Sequence, residues 1–204
     1  MSCSGESTSN IGKIIQGQAP GELSSRGQRQ AQALCTYLRT QTYDTIYCSD
    51  LNRAMQTLAP LLEDNASLPT VIYDARLREK ACGIFEGQPI GSQERAAKLE
   101  GTDLRAFRGQ GAESWEDVMQ RAALFLQDIQ QAHDRGDGET SRILVVAHGG
   151  FIKECLNAAT KRKTNFFPNN LCNCSITKLK FRQGRCTLTE KNNVSHLKAM
   201  SEQL

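Results

Sequence analysis

The chain has 204 residues, 39% of them hydrophobic and 23% charged, a composition typical of one globular α/β domain. A formal net charge of +3 on scattered Lys and Arg residues excludes charge-driven binding of nucleic acid or of a membrane surface. The sequence contains no apolar run near the roughly 18 residues of a membrane span and no signal-peptide pattern. We therefore expect a cytoplasmic protein.

The eight cysteines lack metal-binding spacing, because the tight pair Cys172-x-Cys174 has no second half that would complete a zinc site. In a reducing compartment we expect free or structural thiols, without disulfides. We expect neither a metal nor a cofactor.

Strand and helix patterns alternate along the chain, which predicts a mainly parallel sheet with helices on both faces, a three-layer α/β sandwich. A helix capped by Ser24 or Ser25 precedes a strand over 45–47. A second helix, capped by Ser49, is expected to kink or end near Pro60. Another strand is predicted over 70–73.

A polar excursion over 77–111 follows, with a helix predicted around 94–104, and such an excursion commonly forms a lid. Ser114-Trp115-Glu116-Asp117 has the pattern of a capping box, and the helix it opens is predicted to end near Gly136, with a loop over 134–138. The apolar run over 143–147 does not alternate, which is typical of a strand buried on both faces.

A hairpin is predicted around Gln183-Gly184. The segment 191–204 has little to bury, so we expect a domain over 1–190 and a mobile tail after it.

His148 stands just beyond the predicted strand over 143–147, where open α/β sheets place ligands. A histidine there can act as a nucleophile, a general acid or an anion-binding donor. The structural alternative is a core histidine whose ring nitrogens both have partners.

Two further residues can take part in phosphate chemistry. Arg53 can hold a phosphate at a helix start, and Glu79 can protonate a leaving group. Taken alone, each of them also fits a solvated surface residue.

Seven fragments, taken in order, resemble the histidine phosphatase superfamily, also called the phosphoglycerate mutase-like family. They lie at 5–10, 23–31, 49–57, 77–79, 83–87, 111–114 and 147–149. The hexapeptide KIIQGQ at 13–18 is most similar to the TIGAR-like fructose-2,6-bisphosphatase branch. The short 79–111 region lacks room for the insertions of many mutases, which favours a hydrolase.

The resemblance implies that a histidine in an Arg-His-Gly motif takes the phosphoryl group, that a carboxylic acid protonates the leaving oxygen, and that water hydrolyses the phosphohistidine. It implies the catalytic residues Glu79 and His148, with His148 binding phosphoryl oxygens. The implied phosphate-binding and pocket residues are Arg53, Asn10, Gln16 and Gly149.

Cys3-Ser4 stands where the family has Arg-His, directly before Gly5. Ser4 therefore holds the position of the missing nucleophile, and its hydroxyl is no substitute because it needs a base. Phosphoryl transfer to His148 is disfavoured, because that residue approaches from the opposite side.

The family runs a hydrophobic strand into this motif, whereas only Met1 and Ser2 precede Cys3. About five missing buried residues would forfeit on the order of 7 to 15 kcal/mol, comparable to the stability of about 5 to 15 kcal/mol of a whole domain. We therefore expect a truncated first central strand. We hypothesise a splice variant or a misassigned start, with a sibling product that carries the strand and the Arg-His pair. Sequencing the 5′ end of the transcript tests this.

These features leave open whether the chain is an enzyme. The leading hypothesis is a phosphatase-lineage protein for a small phosphorylated metabolite, such as a sugar bisphosphate, impaired in this form. The alternatives are a catalytically dead phosphate-binding or regulatory protein and, more distantly, a phosphoglycerate mutase. The oligomeric state is open.

Overall fold

A six-stranded sheet forms the centre of the computed structural model, which describes residues 1–133, 140–160, 171–182 and 184–200. Its strands are β1 Ser2–Cys3, β2 Thr45–Cys48, β3 Val71–Tyr73, β4 Ile143–Ala147, β5 Ile176–Arg182 and β6 Arg185–Asn193. They lie in the order β3-β2-β4-β1-β5-β6. The first four strands pair in parallel and β5 and β6 form an antiparallel hairpin, so the prediction of a mainly parallel sheet is confirmed.

Helices cover both faces of the sheet. They are α1 Thr8–Ile11, α2 Ser25–Leu38, α3 Asn52–Asp64, α4 Ser92–Leu99, α5 Trp115–His133 and α6 Gly149–Ala159. One hydrophobic cluster joins α5 and α6 to the sheet, and a second joins α2 and α3 to it, which confirms the three-layer sandwich. Within the described residues, no helix is both long and apolar enough to cross a membrane.

The central strand β4 supplies both clusters. Val145 and Ala147 belong to the cluster with α5 and α6, whereas Leu144 and Val146 belong to the cluster with α2 and α3. These four side chains are all buried, which explains an apolar run without polar alternation. His148 follows at the carboxyl end of the strand.

The short strand β1 lies between β4 and β5. Ser2 pairs with Val146 on one side and with Ile176 on the other, and Cys3 pairs with Ala147. The strand is thus as short as predicted and lies at the centre of the sheet. It brings the chain that follows it to the same sheet edge as the end of β4.

The predicted cap of α3 and its predicted end near Pro60 are wrong. Ser49 does not cap the helix, because its hydroxyl reaches only the Leu51 N–H, and Leu51 itself is the N-cap. Pro60 neither ends nor interrupts the helix, which continues to Asp64. A proline removes one backbone hydrogen bond, and buried Leu58 and Leu61 hold the helix on the core despite that loss.

The capping box at the start of α5 is confirmed. The Asp117 N–H donates to Ser114 Oγ, and the Ser114 N–H donates to the Asp117 carboxylate. The helix is described as far as His133, so its predicted end near 136 and the loop over 134–138 lie outside the described residues.

The excursion has a small core of its own, formed by Cys82, Phe85, Ala97 and Phe107. Its helix α4 begins two residues before the predicted 94–104. It also ends earlier than predicted, because Gly101 takes a left-handed conformation after it. Ile15 packs against this small core, and an ion pair links Arg105 to Glu154 of α6. These two contacts join the excursion to the rest of the fold.

The C-terminal segment is packed where the sequence predicted a tail with little to bury. β6 extends to Asn193, and a 3-10 helix follows over Ser195–Met200. Leu197 packs against the α2 and α3 cluster, and His196 Nε2 lies 3.0 Å from the Cys174 carbonyl oxygen. The segment is too short to show a period, which is why the sequence pattern did not indicate this contact.

Candidate active site

His148 is 2% exposed and forms the N-cap of α6. Its Nε2 lies 2.8 Å from Ser49 Oγ. Ser49 Oγ also accepts a hydrogen bond from the Leu51 N–H, so the hydroxyl is shared between His148 and the start of α3. The other ring nitrogen, Nδ1, is buried and has no hydrogen-bond partner in the part of the chain that the structure describes.

The imidazole is neutral at pH 7. Burial, and then the positive charges of Arg53 and Arg121, lower the pKa of His148 well below its ordinary value. A satisfied core histidine would have partners for both nitrogens. The His148 ring instead has one nitrogen, Nδ1, without a partner among the described residues.

Arg53 lies in the first turn of α3 and is 6% exposed, so the alternative of a solvated arginine is wrong. Its Nη2 donates to the Gly17 carbonyl oxygen at 2.8 Å. Burial lowers the pKa of the guanidinium, and the charge of Glu79 opposes that shift. The group remains a cation at neutral pH.

Glu79 lies against the N-terminus of α6. Its Oε2 accepts a hydrogen bond from the Gly150 N–H at 3.0 Å, and its Oε1 accepts one from the Lys80 N–H at 2.9 Å. A helix N-terminus favours a negative charge at this point. Glu79 is therefore held at Gly150, which lies two residues after His148, at the same edge of the sheet.

Cys3 and Ser4 are buried beside these groups. The Ser4 N–H donates to the Ala147 carbonyl oxygen at 2.8 Å, directly before His148. Burial, and then the charge of Glu79, raise the pKa of the Cys3 thiol to about 12, so the thiol is protonated at neutral pH. Cys3 is therefore no thiolate nucleophile in place of the missing histidine.

Asn10 and Gln16 are both joined to Ser7. Asn10 Oδ1 accepts from the Ser7 N–H at 2.9 Å, and Gln16 Oε1 accepts from Ser7 Oγ at 2.7 Å. Gln16 Nε2 is buried without a partner among the described residues. Asn173 lies next to Asn10 and donates to the Ser4 carbonyl oxygen at 3.2 Å. Asn10 is thus linked to Ser4 through Asn173, and Gln16 is linked to Asn10 through Ser7.

Arg121 of α5 is a residue of the site that the sequence did not indicate. Its guanidinium donates to the carbonyl oxygens of Arg76, Arg78 and Glu79, and it pairs with the Glu113 carboxylate. These bonds hold the backbone that carries Glu79. The three carbonyl partners of Arg121 are 42 to 45 residues away along the chain, so a local pattern cannot reveal them.

Gly150 is packed against Glu79 so closely that a methyl group does not fit. A Cβ at Gly150 would lie 2.2 Å from Glu79 Oε1 and 2.8 Å from the Trp115 ring, whereas a Cβ at Gly149 would lie 3.8 Å from Cys3 Sγ. We expect Gly150→Ala to lower the free energy of unfolding by about 1 to 3 kcal/mol. Gly149→Ala is the matched control and should be neutral or slightly stabilising. Urea unfolding measures both, and equal effects would contradict this packing.

The fold and this site define a class of protein, an α/β domain that gathers a histidine, an arginine and a glutamate at the carboxyl edge of its parallel strands. The chain belongs to the histidine phosphatase superfamily (branch 1), whose family model matches residues 2–194. It is thus of phosphatase lineage, and the family resemblance read from the seven fragments is confirmed.

Individual relatives confirm the predicted branch. The chain is 36% identical over 130 residues to the fructose-2,6-bisphosphatase TIGAR of Bos taurus, covering 62% of this chain and 48% of that protein. It therefore spans about half the length of that relative. It is 31% identical over 156 residues to a broad-specificity phosphatase of Saccharomyces cerevisiae, covering 74% of this chain and 65% of that protein.

Among solved structures, a phosphoserine phosphatase mutant from Entamoeba histolytica in complex with phosphoserine is similar over 96% of both chains. The TM-score is 0.80 at 26% sequence identity. This likeness covers the sheet, the helices and the edge where the site lies.

Proposed function

We propose that this chain binds a small phosphorylated metabolite between Arg53, Glu79 and His148, and that its phosphatase turnover is strongly impaired. The observation that best supports binding is the pair of donors inside the site. His148 Nδ1 has no partner in the described structure, and in this proposal it carries the proton of the neutral ring. The Arg53 guanidinium, whose charge acts on His148, is buried as well. Buried donors of this kind are normally satisfied, and phosphoryl oxygens would satisfy them.

The impairment follows from the residues at positions 3 and 4. A phosphohistidine cannot form on Ser4, and the Cys3 thiol is protonated. Glu79 remains in place to give a proton to a leaving oxygen, but a proton donor without a nucleophile does not complete the transfer. We therefore propose that binding is retained and that hydrolysis is lost or very slow.

We propose a sugar phosphate, with fructose 2,6-bisphosphate first, as the ligand. This choice is supported by the names of the relatives, which include a fructose-2,6-bisphosphatase and a glucosyl-3-phosphoglycerate phosphatase. The same binding without turnover would suit a regulatory protein that senses such a metabolite. Retention of Arg53, Glu79 and His148 despite the altered motif favours this second role.

Thermal unfolding with and without ligand tests the binding. Fructose 2,6-bisphosphate or inorganic phosphate at a hundred times its Kd should stabilise the chain by about 2.7 kcal/mol. Arg53→Met should abolish this gain. The matched control is Arg39→Met, an exposed arginine paired with Asp64, which should keep it.

Phosphate release from p-nitrophenyl phosphate and from fructose 2,6-bisphosphate tests the impairment. We expect the chain and its His148→Ala variant to give the same rate. Turnover that His148→Ala removes would contradict the impairment, and a melting temperature that neither ligand raises would contradict the binding.

A further inference from the structure

The hexapeptide 13–18 contains two residues, Gly17 and Gln18, to which the sequence assigned no role. Together they contact both halves of the proposed site. We infer that Gln18 is a positioning residue that holds Glu79 at the distance from the phosphate site which proton donation requires. This inference rests on the proposed function, since it assigns a partner to the proton donor of that site.

Gln18 is bonded to the residue that carries the carboxylate. Its Nε2 donates to the Glu79 carbonyl oxygen at 3.0 Å, and its Oε1 lies 3.5 Å from Arg78 Nη1. Its own backbone N–H donates to Glu86 Oε1 at 2.8 Å. The side chain therefore connects a fixed loop to the segment 78–79.

Gly17 connects the same loop to Arg53. Its carbonyl oxygen accepts the 2.8 Å hydrogen bond from Arg53 Nη2. Gly17 has a positive φ of 56°, and a Cβ there would lie 2.3 Å from Glu86 Oε1, so the loop is held in one conformation. Two consecutive residues thus bond to Arg53 on one side and to Glu79 on the other.

Arg121 bonds to the same Glu79 carbonyl oxygen from the core side, together with two other carbonyls and a carboxylate. Loss of Arg121 would therefore disturb the fold as well as the site. Gln18 is only partly buried, and its side chain donates to one backbone carbonyl, that of Glu79. It is the residue whose removal tests positioning with the least effect on folding.

Loss of the Gln18 contact is expected to affect one step of the reaction, the protonation of the leaving oxygen by Glu79. In a chain with a histidine at position 4, the imidazole forms a bond to phosphorus while the bond between phosphorus and the leaving oxygen breaks, and the electron pair of that bond goes to the leaving oxygen. The Glu79 carboxyl group, in its protonated form, gives its proton to this oxygen and becomes a carboxylate. A p-nitrophenolate is stable without this proton, whereas an alkoxide is not. A misplaced Glu79 therefore slows alkyl phosphates and leaves p-nitrophenyl phosphate nearly unchanged.

The test compares Gln18→Met with Gln88→Met in a Cys3→Arg/Ser4→His background, which supplies the nucleophile. Gln88 is the matched control, because its amide also donates to a backbone carbonyl, that of Ile84, away from the site. We expect Gln18→Met to lower kcat for glycerol phosphate by about tenfold, with KM unchanged and little effect on p-nitrophenyl phosphate. Equal effects on both substrates, or none, would overturn the positioning role.

A second measurement uses the chain without a restored nucleophile. The Gly150 N–H donates to Glu79 Oε2, so its hydrogen exchange, followed by NMR, reports on the position of the carboxylate. Gln18→Met should speed this exchange and Gln88→Met should not. Unchanged exchange overturns the positioning role even when the restored chain is active. Faster exchange supports it even when the restored chain has no turnover, an outcome that counts only against the part of the proposed function that assigns the impairment to positions 3 and 4.

Discussion

The double substitution Cys3→Arg/Ser4→His is expected to make this chain an active phosphatase. It places an imidazole at position 4, where the backbone is already bonded to Ala147 beside His148, and a second guanidinium at position 3. Cys3 lies where the charges of Glu79 and Arg53 both act on it, so an arginine there gains a carboxylate partner. We expect phosphate release to rise at least about a hundredfold, the scale on which one charge-stabilising donor acts alone.

The single substitutions separate the two contributions. Cys3→Arg alone should tighten phosphate binding without turnover, because no nucleophile is present. The double variant should also accumulate an acid-labile phosphoenzyme during turnover, and this species should be absent from the Cys3→Arg/Ser4→Ala control. A double variant that unfolds cooperatively but neither hydrolyses p-nitrophenyl phosphate nor becomes phosphorylated would contradict our assignment of position 4.

The parts of the site that could be predicted are those whose signal is local. His148 follows an apolar strand directly, so strand geometry alone places it at a ligand-binding edge. Arg53 lies in the first turn of a helix with a clear apolar face. Glu79 was indicated by resemblance, since nothing in its own neighbourhood predicts that its carboxylate accepts the Gly150 N–H, 71 residues away.

The missed parts depend on tertiary contacts. Ser49 had the pattern of a helix cap, but it lies two residues before the N-cap and instead faces His148. Arg121 was predicted only as part of a helix, because three of its partners are distant backbone carbonyls, which carry no sequence signal. The fold was more predictable than the site for the same reason, since strands and helices are read from periodicity within a few residues. The packing of Leu197 shows the limit, since a segment of a few residues is too short to give a period.

Arg105→Met is expected to be the most destabilising single change in the excursion. Arg105 forms a two-bond ion pair with Glu154, at 3.1 and 2.7 Å, and the Glu154 side chain is 1% exposed. Glu154 also accepts from Asn157 Nδ2, so the carboxylate is held inside α6. Removal of the arginine leaves a buried charge without a counter-ion, which costs about 3 to 5 kcal/mol. For a chain of this length the melting temperature should fall by roughly 6 to 20 °C.

Two variants show whether the cost comes from the buried charge. Arg108→Met removes another arginine of the excursion, whose side chain is 63% exposed beside Asp117, and should cost less than about 1 kcal/mol. Arg105→Met/Glu154→Leu removes both charges and should recover most of the loss, because a buried ion pair is often replaceable by apolar side chains. If the double variant is as unstable as Arg105→Met, lost packing rather than an unpaired carboxylate is the cause. The Arg105 side chain would then hold the excursion in place through its packing and not through its charge.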